Sequence, residues 1–520
     1  MTAPPSPATP MPFNRAVILG LLTAGALGLA FLPLGIWPII AIALAPWLVA
    51  IARIALRDAI RLGIVVSVTG SLAVVYWSPS AVADYFGISI AWGTAGVLMF
   101  ALLAVAPYWI GFSVWIAWAN RRCGLNPWVV AGAWAFCEFA RAHGFGPWGL
   151  MAYALPPGSA LLQIADLAGP YGVGALLAST SAIAAAAFSP AVRPNRFAAH
   201  ALGVVLLATA CFAYGEWRLS HDFAEGPAIE VALIQPHSDR HRRWDPGLRG
   251  ENFRQPLELS KIAARKGPDL ILWPEASVVA PLPFHAPTRR LIEEHSREFP
   301  GDLVVGALHA EHNDSRQNAH NSAFALWDGA IRDRYDKIEL VPFAERSFLP
   351  RFLDPEKGVY GAGDRARPLS LRHTRLGVAI CWDVEYPELM RQLAANGADS
   401  FANLSRDDWF GGAVPAWQQL RIAALRSIEN RRFMARPTSG GHTAMIDAHG
   451  RVIERGTYGK PDIVYAKLYT STATTPYQRI GDAFPWVAGV AALLWPYRAG
   501  RRSRHRQEMA GPTGPESNAA

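Results

Sequence analysis

The sequence predicts a multi-pass α-helical membrane domain followed by an α/β domain built as a layered sandwich. Three observations point there. Of the 520 residues, 51% are hydrophobic and only 17% are charged, too apolar for a soluble chain of this size. Apolar stretches of membrane-spanning length crowd the region 13–217 and recur once at 480–498. Between them, 225–475 alternates short apolar runs with amphipathic ones. A chain of this length holds more than one ordinary domain.

The elements of the first half follow in order. Residues 1–12, rich in Pro, Ser and Thr, predict a disordered N-terminus. Apolar segments near 16–33, 36–54, 62–78, 88–118, 126–140, 170–190 and 198–215 predict seven transmembrane helices within 13–217. The first is followed directly by others, so it reads as an uncleaved helix rather than a signal peptide. The segment 88–118 is long enough to tilt or to carry an interfacial end. Glu138 and Arg141 interrupt 126–140; their helical spacing allows an ion pair that either orients helices or serves function. The loop Gly144–Leu150 is Gly- and aromatic-rich.

The basic residues indicate orientation. Arg15, Arg53, Arg57, Arg61, Arg121, Arg122, Arg193, Arg196 and the cluster Arg498–Arg506 fall on one face if eight helices span, the eighth being 480–498. The opposite connections carry few, with Arg141 and His143 as exceptions. The positive-inside rule makes the first face cytoplasmic. The tail 499–520 is then cytoplasmic, and 225–475 lies on the extracytoplasmic side. Membrane topology accounts for the net charge of +8 better than nucleic acid does. Many of the 19 Trp sit at the ends of apolar runs, as in an interfacial belt.

In the second half, Glu230–Gln235, Leu270–Trp273, Leu303–His309, Leu376–Ile380 and Phe401–Leu404 predict strands. Helices are expected over 251–266, 287–299, Glu388–Ala395 and 415–432. Asp328-Gly329 marks one hairpin, and 445–453 reads as another. Strands and helices alternating with hairpins imply two central sheets with helices outside. Trp244 and the loop 342–365 lie in irregular sequence. In that loop Pro342, Phe343, Phe348, Leu349, Phe352 and Leu353 form either an apolar lip for a lipid chain or a satellite hydrophobic cluster.

The chemistry gathers at strand ends. Cys381 follows the run Leu376–Ile380 at a strand-to-helix turn, where backbone N–H groups favour a thiolate. Taken alone it reads as a small buried hydrophobe. Two distant segments change the balance. Asp269–Ala276 is an apolar strand ending in Glu275, and Tyr335-Asp336-Lys337 is followed by Leu340-Val341-Pro342-Phe343-Ala344-Glu345. A carboxylate base, an ammonium and a thiol, each at a strand end, are the parts needed for acyl transfer through a thioester.

The ordered motifs W-P-E-A, Y-D-K-x-x-L-V-P-F-x-E and C-W-D resemble the Glu-Lys-Cys triad of the nitrilase (carbon-nitrogen hydrolase) superfamily. The Leu-Val-Pro-Phe context and the hydrophobic first half are similar to the apolipoprotein N-acyltransferases of bacterial inner membranes. That resemblance implies an α-β-β-α catalytic domain on the periplasmic side. It implies Glu275, Lys337 and Cys381 as catalytic residues, with Glu345, Trp382 and Asp383 in support. The acyl donor would be a membrane phospholipid and the acceptor the N-terminal diacylglyceryl-cysteine of a lipoprotein. The 144–150 loop resembles one bordering the lipid entrance, and equally suits a tight interfacial turn. Asp383 stands where the family commonly has Glu. Ser405-Arg406-Asp407-Asp408-Trp409-Phe410-Gly411 replaces an Asn-Asp-Ala-Trp-Phe-Gly block, and His442 either tunes the thiol or forms polar wall.

Two other classes compete. A membrane-tethered amidase would use the same triad with water as acceptor, but would not need the helical half. A non-catalytic scaffold would not need all three triad residues. Cys123, Cys137, Cys211 and Cys381 show no disulfide framework, and the 14 His show no ligand spacing. No metal, cofactor or nucleic-acid partner is expected.

Overall fold

The computed structural model describes residues 10–188, 194–237, 253–310, 319–342, 344–346 and 360–509, with side chains to 499. Trp244, Phe343, Phe348, Leu349, Phe352, Leu353 and most of both termini lie outside the described residues.

The helical half comprises α1 (Phe13–Phe31), α2 (Ala45–Ile51), α3 (Leu56–Val74), α4 (Ser78–Phe86), α5 (Ile90–Phe100), α6 (Ala106–Cys123), α7 (Pro127–Phe145), α8 (Ala165–Ala187) and α9 (Pro194–Leu219). The expected second segment is divided. A 3-10 stretch, Trp37–Ile42, precedes α2, and Pro46 in the first turn of α2 cannot extend a preceding ladder. The expected third segment ends at Val74 and bends by 73° into α4. No apolar run announced α4, because Pro79 and Asp84 lower its hydropathy. The long fourth segment runs from α5 through a π-helical stretch, Ala101–Val105, into α6. Four described helices are long and apolar enough to cross a membrane, or five if the bent pair counts as one span. Inside α8, Gly169 adopts φ +64 ahead of Pro170, and Tyr477 packs into the space a Cβ would fill.

The second half continues with β1 (Glu225–Gln235), α10 (Arg254–Ala264), β2 (Leu270–Leu272), β3 (Val278–Pro281), α11 (Ala286–Glu298), β4 (Asp302–His309), β5 (His320–Trp327) and β6 (Ala330–Asp336). Then come β7 (Leu369–Ser370), β8 (Arg375–Ile380), α12 (Pro387–Ala395), β9 (Ser400–Arg406), α13 (Ala413–Asn430), β10 (Met434–Arg436), β11 (Thr438–Ser439), β12 (Ala444–Ile446), β13 (Val452–Arg455) and β14 (Asp462–Thr470). Short α14 (Pro476–Ile480) leads to the last helix, α15 (Ala483–Met509).

The strands form two sheets, ordered β14-β1-β2-β4-β5-β6 with β3 on β4, and β13-β12-β10-β9-β8-β7 with β11 on β9. Alternation along β1 divides its side chains. Val231 and Leu233 join a core shared with Val378, Ile380 and Phe401 of the other sheet. Ala232 and Ile234 face the layer of Leu257 (α10) and Ile292 (α11). Helices α12 and α13 cover the second sheet through Leu389, Leu393 and Leu420. This is the expected α-β-β-α order. The other face of α13 sends Ile422, Leu425 and Ile428 into the core of the helical half. Each buried aliphatic side chain there contributes about 1.5–3 kcal/mol, so α13 is common to both halves.

Candidate active site

Three strand ends of the two sheets converge. Glu275 lies just past β2, Lys337 just past β6, and Cys381 just past β8. All three are buried, at 7%, 0% and 2% exposure. The Lys337 Nζ is 3.6 Å from Glu275 Oε1 and 2.7 Å from Glu345 Oε2. Burial works against the Lys337 charge, but Glu345 and Glu275 outweigh it and hold its pKa well above the ordinary range. Burial raises the Glu275 carboxyl, while Lys337 and a hydrogen bond from Asn321 pull it back. Burial likewise pushes the Cys381 thiol well up, Glu275 adds to that, and Lys337 opposes it. A thiol, a carboxyl and an ammonium group are thus electrostatically coupled in one buried site, the parts that acyl transfer through a thioester would use.

The backbone is strained at this point. Cys381 has φ +49 and Ala276, next to Glu275, has φ +43. Non-glycine residues in the left-handed region cost about 1–3 kcal/mol and gather at functional sites. Cys381 leads into a 3-10 turn, Cys381–Glu385, before α12 begins. Its carbonyl accepts from Asn403 Nδ2 at 3.4 Å.

Asp383 ties two of these strand ends together. Its Oδ1 accepts from Glu339 N at 2.8 Å and Ile338 N at 3.3 Å, just past Lys337. Its Oδ2 accepts from Ile380 N and from the Tyr335 hydroxyl, both at 3.0 Å. Burial pushes this carboxyl up to about 7, with Lys337 and the hydrogen bonds pulling the other way. Glu345 closes its own loop by accepting from Val341 N at 2.9 Å.

Sequence reasoning missed Asn321. Its Nδ2 donates to Glu275 Oε1 at 2.6 Å and approaches Glu345 Oε1 at 3.4 Å. The Asp328-Gly329 turn alone would set Asn321 opposite Asp336. A bulge between Ala325 and Leu326 shifts the register so that Ser322 pairs with Asp336, and Asn321 O accepts from Lys337 N at 2.8 Å. The hairpin was legible, but the bulge that aims Asn321 was not.

The helical half supplies one wall. Trp382 stacks on Trp148 at 6.1 Å and 19°, and Trp148 and Phe410 each meet Trp77 edge-on. The Gly144–Leu150 loop thus lies against Trp382, the residue after Cys381. Glu138 and Arg141 do not pair with each other as their spacing suggested. Glu138 accepts from Met151 N at 2.8 Å, and Arg141 donates to the Trp148 carbonyl at 2.8 Å. Gln418 of α13 completes the wall: its Oε1 accepts from Trp77 Nε1 at 3.2 Å and Trp148 Nε1 at 3.1 Å, and its Nε2 donates to the Val74 carbonyl at 3.0 Å.

The two departures in 405–411 compensate each other, since Arg406 Nε donates to Asp408 Oδ1 at 2.7 Å. His442 lies between Trp417 (5.5 Å) and Tyr458 (5.0 Å). Burial first, then Arg436 and Arg455, lower its pKa to about 4. Among the described residues no His, Cys, Asp and Glu group could hold a metal ion.

Comparison with known proteins fits this architecture. Residues 23–183 match the model of the apolipoprotein N-acyltransferase N-terminal domain, and 230–477 match carbon-nitrogen hydrolase. The apolipoprotein N-acyltransferase of Geobacter metallireducens is 31% identical over 95% of this chain and 97% of its own length. The chain belongs to the apolipoprotein N-acyltransferase family. The Azotobacter vinelandii member is 29% identical over 94% of this chain and 96% of its own. A carbon-nitrogen hydrolase from Helicobacter pylori G27 is similar in structure over 54% of this chain and 98% of its own, at 17% identity and a TM-score of 0.37. In this chain a helical half of membrane character precedes a carbon-nitrogen hydrolase domain.

Proposed function

We propose that this protein moves a fatty acyl chain from a phospholipid, through a thioester on Cys381, to the α-amino group of the N-terminal diacylglyceryl-cysteine of a lipoprotein. Glu275 takes the Cys381 proton, and the thiolate attacks the ester carbonyl of the phospholipid. Lys337 and the Trp382 backbone N–H stabilise the tetrahedral oxyanion. Glu275 returns the proton to the departing lysophospholipid oxygen, leaving the thioester. The acceptor amine then attacks; Glu275 takes its proton as the amide forms and returns it to the released thiolate. Glu345 keeps Lys337 charged and aimed, with a hydrogen bond of 2.9 Å. Asp383 acts through the backbone it fastens.

The observation that carries this reading over amide hydrolysis is the stacking of Trp148, from the helical half, on Trp382 beside the nucleophile. A hydrolase of small soluble amides would not need an apolar half to build its pocket wall. The enzyme is assigned to the bacterial inner membrane, with 13–217 and 480–498 as eight spans, 225–475 on the periplasmic side and the basic tail in the cytoplasm. The distribution of arginines supports that orientation.

Incubation of the purified protein with phospholipid and a diacylated lipopeptide tests the reading. Amide-linked triacylated peptide without net ester hydrolysis is expected. Ammonia release from small amides, with no triacylated product, would establish the amidase instead.

A further inference from the structure

Most buried arginines of the α/β domain have a carboxylate. Arg426 meets Glu429 at 2.8 Å, Arg431 meets Asp166 at 2.7 Å, and Arg436 meets Asp407 at 3.0 Å. Arg432 has none, but donates to the carbonyls of Ala398, Asn430, Arg431 and Ala473. Arg421 of α13 has neither arrangement. It is 6% exposed. Its Nη1 makes a 3.4 Å hydrogen bond to the Ala154 carbonyl, and its Nε has no hydrogen-bond partner among the described residues. Burial alone lowers its pKa, to about 10. A buried guanidinium without a counter-charge is costly unless an anion joins it.

The surroundings are donors rather than acceptors. Two guanidinium groups lie over the Trp417 ring, Arg421 at 5.8 Å and Arg455 at 5.7 Å from its centre. Trp417 Nε1 and His442 Nδ1 also lack hydrogen-bond partners among the described residues. Asp407, which bears on the neighbouring Tyr458, is held by Arg436 Nη2 at 3.0 and 3.1 Å and by Ser405 Oγ at 2.7 Å. The cluster reaches the surface at Arg455 and Tyr458, which are exposed. It borders the helical half. Ala154 belongs to that half, and Gly158 packs on Arg451 of the segment leading into β13. Helix α13 itself enters the helical core through Ile422 and Leu425.

We propose that Trp417, Arg421, His442 and Arg455 form a phosphate-binding site at the seam between the two halves. Two guanidinium groups suit the paired oxygens of a phosphate, and the indole N–H and imidazole take the others. The position at the junction with the helices suits the headgroup of a bilayer phospholipid; free phosphate has the same chemistry. The site does not depend on the acyl-transfer reading.

The test uses full-length protein carrying C381A, so that no acyl group is consumed. A phospholipid with a diazirine beside its headgroup phosphate is photolysed in nanodiscs, and labelled peptides are mapped by mass spectrometry. Labelling of peptides spanning 417–421 and 442–458 is expected, falling at least fivefold in R421Q and in R455Q. Labelling near residue 381 should not change. Inorganic phosphate is tested separately by thermal shift. If the seam is unlabelled but phosphate raises Tm in the parent and not in R455Q, the site takes the free anion. R455Q alters an exposed side chain, so the test survives a folding failure of R421Q. Seam labelling that persists in both variants, or neither labelling nor a phosphate shift, would overturn the proposal.

Discussion

At the scale of single residues, the proposed chemistry rests on groups whose ordinary ionisation is resisted by burial and favoured by neighbouring side chains. Glu275 shows this most clearly. Burial raises its carboxyl above the usual carboxylate range. A general base must be ionised, so the rate falls as pH drops through that raised pKa. Asn321 favours the ionised form through its 2.6 Å hydrogen bond. N321A removes that help, and the acidic limb of the pH–rate profile should move to higher pH. An unmoved limb would assign the limb to another group. Asp383 makes a different prediction. Four donors converge on its carboxylate, and an amide in its place would turn N–H toward N–H on one side. D383N should cost about 1–3 kcal/mol per stranded donor, read as a lower Tm together with a reduced kcat. D383E, one methylene longer, should recover part of both.

At the scale of elements, the site is a junction of strand ends steadied by one helix. The sequence made the strands before Glu275 and Cys381 legible as short apolar runs, and the β5–β6 hairpin legible through Asp328-Gly329. What it did not show were displacements of a single residue: the bulge that aims Asn321, and the left-handed turn at Cys381. Neither leaves a residue-type signal, because no glycine marks them. Helix α4 was missed because a proline and an aspartate break its apolar pattern. The hydrogen-bond partners of Glu138 and Arg141 were hidden for a related reason. Helical spacing shows who can meet along one helix, and their partners are backbone groups of the following loop. Gln418 was invisible in sequence, since a glutamine inside a helix carries no signature. Q418L should strand two indole N–H groups and the Val74 carbonyl. Faster amide hydrogen exchange over 146–150 and about tenfold slower transfer from phospholipid are expected, equivalent to about 1.4 kcal/mol in the barrier. Unchanged exchange would show that the aromatic wall stands without the staple.

At the scale of the whole molecule, the two halves are locked by buried charge as well as by α13. Asp166 of α8 accepts from Arg431 at 2.7 Å, from Arg218 at 2.8 Å and from the Tyr214 hydroxyl at 2.8 Å. Breaking a buried pair leaves an uncompensated charge and costs about 3–5 kcal/mol. D166N should therefore lower the unfolding midpoint of both halves together, followed by circular dichroism for the helices and by protease protection for the sandwich. Independent transitions would mean that the halves are only tethered. A locked junction holds Cys381 in a fixed place against the helical half, as the proposed transfer from a lipid ester requires. The most direct test of the account is intact-protein and peptide mass spectrometry after incubation with a phospholipid of defined acyl chains and no acceptor. One acyl mass on the peptide containing Cys381, released by hydroxylamine and absent in E275Q, is predicted; an unmodified Cys381, or an acyl group on another residue, would contradict it.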